Sequence, residues 1–394
     1  MHTSVSPPLG RAGSRGANPR PVRITLCITL RCNLACSYCY VEKRPERMSE
    51  ETARKAVAFA FEHTPPDRPL EFGFFGGEPL LEIGLLEEIT HMAERHPRYD
   101  PMRVTFSVTT NGTIFSDRIA AFLRRHGVKT CISCDGPPEI QNLHRRGAAG
   151  EPTAALVEET TREALRALPR VLVNAVYGPA TLDALPRTVE YLSGLGLRQI
   201  HLNADYSADW ACIDPSEIIS TYRRTAQRYL DWYRAGIPHY INLIDEKIAV
   251  ALRGGYLAQE RCQMGTGELA ITPDGGIYPC ERLIGTRNNG PHRIGCLEHG
   301  IDPFRMDCRR RADGDRNREC ETCPVRDYCM NWCGCSNAFM TGFYNRVGSF
   351  LCASEKAAIQ VAIETLRTME AVLGPVFLHH YAGQPSFNSM SAGG

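Results

Sequence analysis

No uninterrupted apolar run in this chain approaches the length needed to span a bilayer, and its first residues contain no apolar stretch of the signal-peptide kind. Neither sign of charge dominates, with 45 Lys and Arg against 44 Asp and Glu and a net charge of +1. That balance leaves no global field to draw the chain to nucleic acid or to an anionic membrane. Without a signal segment, the oxidising setting in which disulfide frameworks form is also missing. What the chain has in excess is cysteine: 17 residues, an odd number, five of them between Cys320 and Cys335. Reduced thiols bunched in this way point to metal ligation. The composition therefore predicts a soluble, cytoplasmic metalloprotein with no nucleic-acid or membrane partner.

A length of 394 residues allows two or three domains. Residues 1–20 are rich in Pro, Gly, Ser and Arg, cannot bury an apolar face, and read as a disordered tail. Strand-like runs at 22–29, 70–75, 102–109, 128–133, 170–176 and 198–203 alternate with helical patterns at 50–63, 80–96, 117–126, 153–168 and 182–195. This alternation predicts an α/β domain with a parallel sheet and right-handed crossovers. Helices at 215–234 and 241–252 would bridge to Gly254-Gly255, so the first domain is placed at 21–253. Residues 254–352 are poor in periodic segments and rich in Cys, Gly and Pro; so thin a core needs metal clusters as staples. Residues 353–394 read as one closing helix, 353–373, and a flexible tail.

The strand at 22–29 runs into Cys32, Cys36 and Cys39, a C-x3-C-x2-C spacing. Structural zinc normally takes four protein ligands, whereas three thiolates on a cubane leave one iron open for chemistry. With Tyr38 in the aromatic position, this segment resembles the C-x3-C-x-aromatic-C signature of the radical S-adenosylmethionine (radical SAM) enzymes. The resemblance implies a partial (β/α)6 barrel in which Cys32, Cys36 and Cys39 hold a 4Fe-4S cluster and SAM chelates its fourth iron. It further implies reductive cleavage of SAM to a 5'-deoxyadenosyl radical that abstracts hydrogen from a substrate.

Gly76-Gly77-Glu78-Pro79, one strand later, resembles the family's GGEP motif, which binds the SAM amino group; its glycines permit close backbone approach and its carboxylate can receive an ammonium. Ser107 and Asn111, around the third strand's Thr-Asn-Gly end, correspond to a segment that borders SAM. The run from Ser133 to Arg145 resembles a stretch of the sulfatase-maturing and peptide-modifying members. On that resemblance Ser133 and Asp135 face the ribose and Arg145 pairs with the SAM carboxylate, a geometry suited to guanidinium. Gln141-Asn142 replaces the His-Asp of that stretch. Cys131 and Cys134 read as buried structural thiols. His201 and Asn203 are weak substrate-contact candidates, facing either cavity or core.

Downstream, Cys262, Cys280, Cys320, Cys323, Cys329, Cys333 and Cys352 exceed one tetrahedral site. Their order resembles the SPASM domain, which binds two auxiliary 4Fe-4S clusters. Family ligation implies Cys320, Cys323, Cys329 and Cys352 for an outer cluster, and Cys262, Cys280 and Cys333 for an inner one. A fourth inner ligand is missing, because Gly254, Gly255 and Tyr256 stand just upstream of Cys262; Cys296, Cys308, a non-cysteine group or an open iron are the alternatives. Glu281 falls where sulfatase-maturing relatives place a catalytic aspartate. Cys27, Cys212 and Cys335 receive no role.

The expected protein is thus a radical SAM/SPASM maturase with SAM and three 4Fe-4S clusters, oxidatively modifying a residue of a ribosomally made peptide by a thioether, C–C or C–O cross-link. Formylglycine formation on a sulfatase and small-molecule dehydrogenation are the enzymatic alternatives, and a zinc or redox-sensing protein is the non-catalytic one. An electron donor such as flavodoxin or ferredoxin is implied. Some twenty residues precede the first strand, so leader recognition is expected to come from a separate protein or from the enzyme body.

Overall fold

The computed structural model describes residues 20–284, 292–310 and 317–374. Both tails anticipated from the sequence therefore lie almost wholly outside the described residues. Val22–Thr29 (β1) is buried at nearly every position, the mark of a parallel strand covered on both faces. Leu70–Gly76 (β2), Val104–Thr110 (β3), Lys129–Ser133 (β4), Val171–Tyr177 (β5) and Gln199–Ala204 (β6) follow it in spatial order, all parallel. Each anticipated strand is present within two residues. A two-residue strand, Tyr240–Ile241 (β7), extends the far edge.

Helices return the chain between strands. Glu50–His63 (α1) is started by Ser49, whose hydroxyl accepts from Thr52 N at 3.0 Å. The stretch 80–96 divides into a 3-10 turn, Pro79–Glu82, and Ile83–Glu94 (α2), because Glu78 caps the turn by accepting from Leu80 N. Asp117–Arg125 (α3), Ala154–Ala167 (α5) and Leu185–Gly194 (α6) agree closely with the reading. Pro138–His144 (α4) was not anticipated; it is a short helix begun by Pro137-Pro138, too brief for periodicity to reveal. Asp214 and Glu217 form a capping box at the start of Pro215–Arg234 (α7), and Asn242–Arg253 (α8) ends at Gly254 with φ 80°.

Among its described residues, the cysteine-rich region builds no separate sheet. Glu268–Ile271 (β8) pairs in parallel with β1, and Gly276–Tyr278 (β9), Gly295–Cys296 (β10) and Gly300–Ile301 (β11) continue antiparallel, giving one eleven-stranded open sheet. Pro303–Arg310 (α9) and Gly334–Thr341 (α10) follow. Ser349–Leu373 (α11) begins four residues before the sequence pattern placed it and packs on α7 and α8. A buried Lys247–Glu355 pair at 2.6 Å and Trp210 stacked on Phe350 at 3.6 Å hold it there. Among the described residues no helix is long and apolar enough to cross a membrane.

Candidate active site

The cysteine loop leaves the end of β1 and is fixed by backbone contacts to its neighbours. Gly77 N donates to Thr29 O at 2.7 Å and Glu78 N to Arg31 O at 2.8 Å. Gly76 has φ 132°, and a Cβ on Gly77 would lie 1.9 Å from Arg31 O, so this junction requires glycine. From the other side, Ala35 N and Ser37 N donate to Arg146 O and His144 O.

Above the strand ends opens a cavity of about 1070 Å³, counting its mouth. Cys32, Cys36, Tyr38 and Cys39 line it together with Gly76, Gly77, Asn111, Ser133, Arg145 and Glu281. Cys32 Sγ accepts from Leu34 N at 3.4 Å and Asn111 Nδ2 at 3.6 Å, and Lys43 Nζ stands 2.8 Å from Cys39 Sγ. Burial raises the Cys36 thiol, partly offset by Arg145.

One polar chain crosses the cavity wall. Arg145 Nη1 donates to Tyr38 Oη, which donates to Asp135 Oδ2, both at 2.7 Å, while Asp135 Oδ1 accepts from Val176 N. Burial raises the Asp135 carboxyl against the pull of Arg145, and it raises the Tyr38 phenol as well. Arg145 Nε is buried with no hydrogen-bond partner. An orphaned guanidinium donor beside three thiols fits a ligand carrying a carboxylate.

Some sequence candidates stand where they do not touch the cavity. The Glu78 carboxylate is fully buried and accepts from Leu80 N, Thr110 Oγ1 and Asn111 N at 3.0, 2.9 and 2.7 Å. Two of these bonds fall on Oε1 and one on Oε2; burial raises its pKa, and the part of the motif that lines the cavity is Gly76-Gly77. Pro79 is buried at the start of the 3-10 turn. Ser107 lies deeper in the barrel, because residues two apart on β3 share a face and descend by about 6.6 Å. It donates to Glu71 in a lower polar layer with Arg23 and Lys129. Although burial favours its neutral form, Arg23 and Lys129 hold Glu71 below the usual carboxylate range. His201 and Cys131 line that lower layer, and burial pushes His201 down to about 4. Asn203 reaches the upper cavity. Cys134 is buried in the core. Gln141 Oε1 accepts from Asp135 N and Asn142 Oδ1 from Thr153 N, so this pair braces the loop.

Glu281 is 5 % exposed, and its Oε2 accepts from Thr25 Oγ1 of β1 at 2.8 Å. Sequence reasoning missed the aromatic side of the cavity, where Tyr40 stacks on Phe75 at 6.1 Å and meets Phe339 of α10. It also missed Arg282, which lies over the Tyr206 ring at 5.6 Å and separates this cavity from a second one. No motif marks these residues.

Cys262, Cys280 and Cys333 line the second cavity. Cys333 sits between Cys262 and Cys335, whose contacts lower its thiol pKa. Cys320, Cys323, Cys329 and Cys352 gather separately at the start of α11, and burial raises the Cys320 and Cys329 thiols. Among the described residues no three His, Cys, Asp or Glu side chains close on one ion position. Thiolates around a cubane bind different irons and stand wider than the ligands of a single zinc.

The Radical SAM superfamily model matches residues 26–205. A serine-type anaerobic sulfatase-maturating enzyme of Klebsiella aerogenes is 28% identical over 330 residues, covering 77% of this chain and 76% of that protein. The structure of anSMEcpe with bound AdoMet and Cp18Cys peptide superposes with a TM-score of 0.73 at 18% identity, over 89% of this chain and all of that one. Streptococcus suis SuiB bound to precursor peptide SuiA superposes with a TM-score of 0.59 at 12% identity, over 85% of this chain and 76% of that one. Residues 26–205 are thus a radical SAM domain, similar in sequence to that of an anaerobic sulfatase-maturating enzyme, and the fold around it is the one seen in anSMEcpe and SuiB.

Proposed function

We propose that this protein abstracts hydrogen from one residue of a peptide or protein and completes a two-electron oxidation of it. The observation that carries the reading is the one cavity lined by Cys32, Cys36, Cys39, Arg145 with its unpartnered Nε, and Glu281. When bound, SAM and its cluster supply the abstracting radical, and two SPASM-type clusters, three 4Fe-4S centres in all, supply an acceptor for the second electron.

The chain's own residues do the positioning. Arg145, anchored through Tyr38 and Asp135, offers Nε to the SAM carboxylate, and the Gly76-Gly77 backbone offers carbonyls to its amino group. Asn111 holds Cys32, and Ser133 lines the ribose side. Glu281, oriented through Oε2 by Thr25, takes the substrate's proton at Oε1. Tyr40, Phe75 and Phe339 offer an apolar wall to a side chain and keep water from it.

The substrate proposed first is a ribosomally made peptide that gains a cross-link. Formylglycine formation on a sulfatase-type Ser or Cys is the second reading, favoured by Glu281 at the position of the sulfatase-maturing aspartate. The working compartment is the cytoplasm, with a flavodoxin or ferredoxin as electron donor. Anaerobically reconstituted enzyme is incubated with SAM, dithionite and short peptides containing Cys or Ser, and products are read by mass spectrometry. Peptide-dependent 5'-deoxyadenosine with an oxidised peptide supports the reading, and a new carbonyl identifies formylglycine. Deoxyadenosine formed with no peptide altered, together with turnover of a small molecule, would overturn it.

A further inference from the structure

Cys335 has no place in the seven-cysteine pattern, yet the fold sets it among three of that pattern's members. Cys333 is the N-cap of α10 and Cys335 lies in its first turn, with their sulfurs 3.7 Å apart. Cys280 packs with Cys335, and Cys262 lies within electrostatic reach of Cys333. All four line the second cavity, with Tyr256, Trp332 and Ser336 around them. Cys335 is 4 % exposed and packs with Cys280 and Leu283, so its sulfur faces thiols and not solvent.

Of the alternatives, the Cys308 side chain lies outside the described residues, and the others are occupied or stand apart. Gly254 and Gly255 carry no ligand, and the Tyr256 hydroxyl, although its residue lines the cavity, accepts from Lys247 Nζ at 3.2 Å. Cys296 sits on β10 opposite Gly276 and does not line this cavity. Arg282 lines the same cavity near Cys333 and Cys335, a half-buried cation placed to balance thiolate charge.

We propose that Cys335 is the fourth protein ligand of the inner cluster, closing the set Cys262, Cys280, Cys333 and Cys335. Every iron of that cluster then has a cysteine, and none is open to substrate. The substrate is held by the cavity walls instead, and the inner cluster acts only in electron transfer. This rests on the reading that the cysteine-rich region binds two 4Fe-4S clusters.

The test uses the full chain carrying Cys32→Ala, Cys36→Ala and Cys39→Ala, reconstituted anaerobically, so that only the downstream clusters remain. This parent is expected to hold roughly eight irons and to show no coupling to isotopically labelled cyanide in the EPR spectrum of the reduced protein. Adding Cys335→Ala should either open one iron, seen as a new cyanide coupling, or remove one cluster, leaving roughly four irons and the outer-cluster signal. A misfolded chain gives neither result. Cys335→Ser, nearly isosteric, should shift the inner-cluster spectrum, whereas Cys296→Ala should leave iron and spectrum as in the parent. Full iron content with no cyanide coupling in Cys335→Ala, a Cys335→Ser spectrum identical to the parent's, or a parent that already couples to cyanide overturns the proposal. A parent that takes up no iron overturns the two-cluster reading itself, and the ligand assignment with it.

Discussion

Gly77→Ala tests the contact that joins the glycine motif to the cysteine loop. Its new Cβ would lie 1.9 Å from Arg31 O and 2.5 Å from Arg31 C, both backbone atoms with no rotamer to yield. The gap must open by more than an ångström, and the two hydrogen bonds at 2.7 and 2.8 Å between these loops would break or stretch. Overpacking of this kind costs about 1–3 kcal/mol, and each lost hydrogen bond about 0.5–1.5 kcal/mol, so the total is about 2–6 kcal/mol. Because Arg31 precedes Cys32, the displacement falls on the cysteine loop, where an ångström of misplacement can lower a rate about a hundredfold. Gly84→Ala is the control: its Cβ meets only Arg118 Nη2 at 3.7 Å, and alanine in α2 should stabilise by roughly 0.5–1 kcal/mol. Iron content, substrate-free SAM cleavage and urea midpoints of the two variants are compared with wild type. Undiminished cleavage in Gly77→Ala would refute the claim that this contact sets the loop.

Arg145→Lys keeps the charge but loses the fork that reaches Tyr38 and the cavity; equilibrium dialysis should show SAM affinity falling roughly 10–150-fold, from about 1.5–3 kcal/mol. Lys247→Met strands the buried Glu355 and should cost about 3–5 kcal/mol by urea unfolding. Adding Glu355→Leu should recover only part of this, since Met330 N also loses its acceptor. His201 is buried and neutral, its pKa pushed from 6.5 to about 4, so the unfolded chain binds the extra proton between those values and stability falls as pH drops through that window. Between pH 7 and 5 the wild type should therefore lose about 2 kcal/mol more than His201→Gln.

Strand and helix positions in the barrel were legible because parallel strands buried on both faces read as continuous apolar runs and the helices carry caps. The short α4 and the 3-10 turn before α2 were not, since neither spans enough residues to show a period. Among the candidate residues, the family resemblance grouped the cysteines into expected sets but could not say which way a side chain points. Ser107 and Asn111 share one segment, yet the barrel sets Asn111 at its rim and Ser107 in a polar layer below. Glu78 read as a receptor for cation and proved a buried acceptor for three donors of its own chain. Cys335 was illegible for a related reason: a C-x-C pair at a helix start has meaning only once Cys262 and Cys280, far off in sequence, are folded against it.

The single sheet gives the cysteine-rich region a fixed place against the barrel. Pairing of β8 with β1 sets Ala270 beside Thr25, and the antiparallel return of β9 brings the chain back down to that level. There Cys280 has extended backbone, φ −160° and ψ 146°, and adjacent residues of an extended chain face opposite ways. Cys280 accordingly faces the second cavity while Glu281 faces the first and meets Thr25. One peptide unit thus divides the thiols from the cavity of the cysteine loop. In the proposed reaction the substrate radical gives up a second electron while a proton leaves its attached or attacking O–H, S–H or C–H group, and this arrangement gives each its own exit on either side of that peptide. Shifting the register of β9 by one residue would exchange the two faces and abolish both.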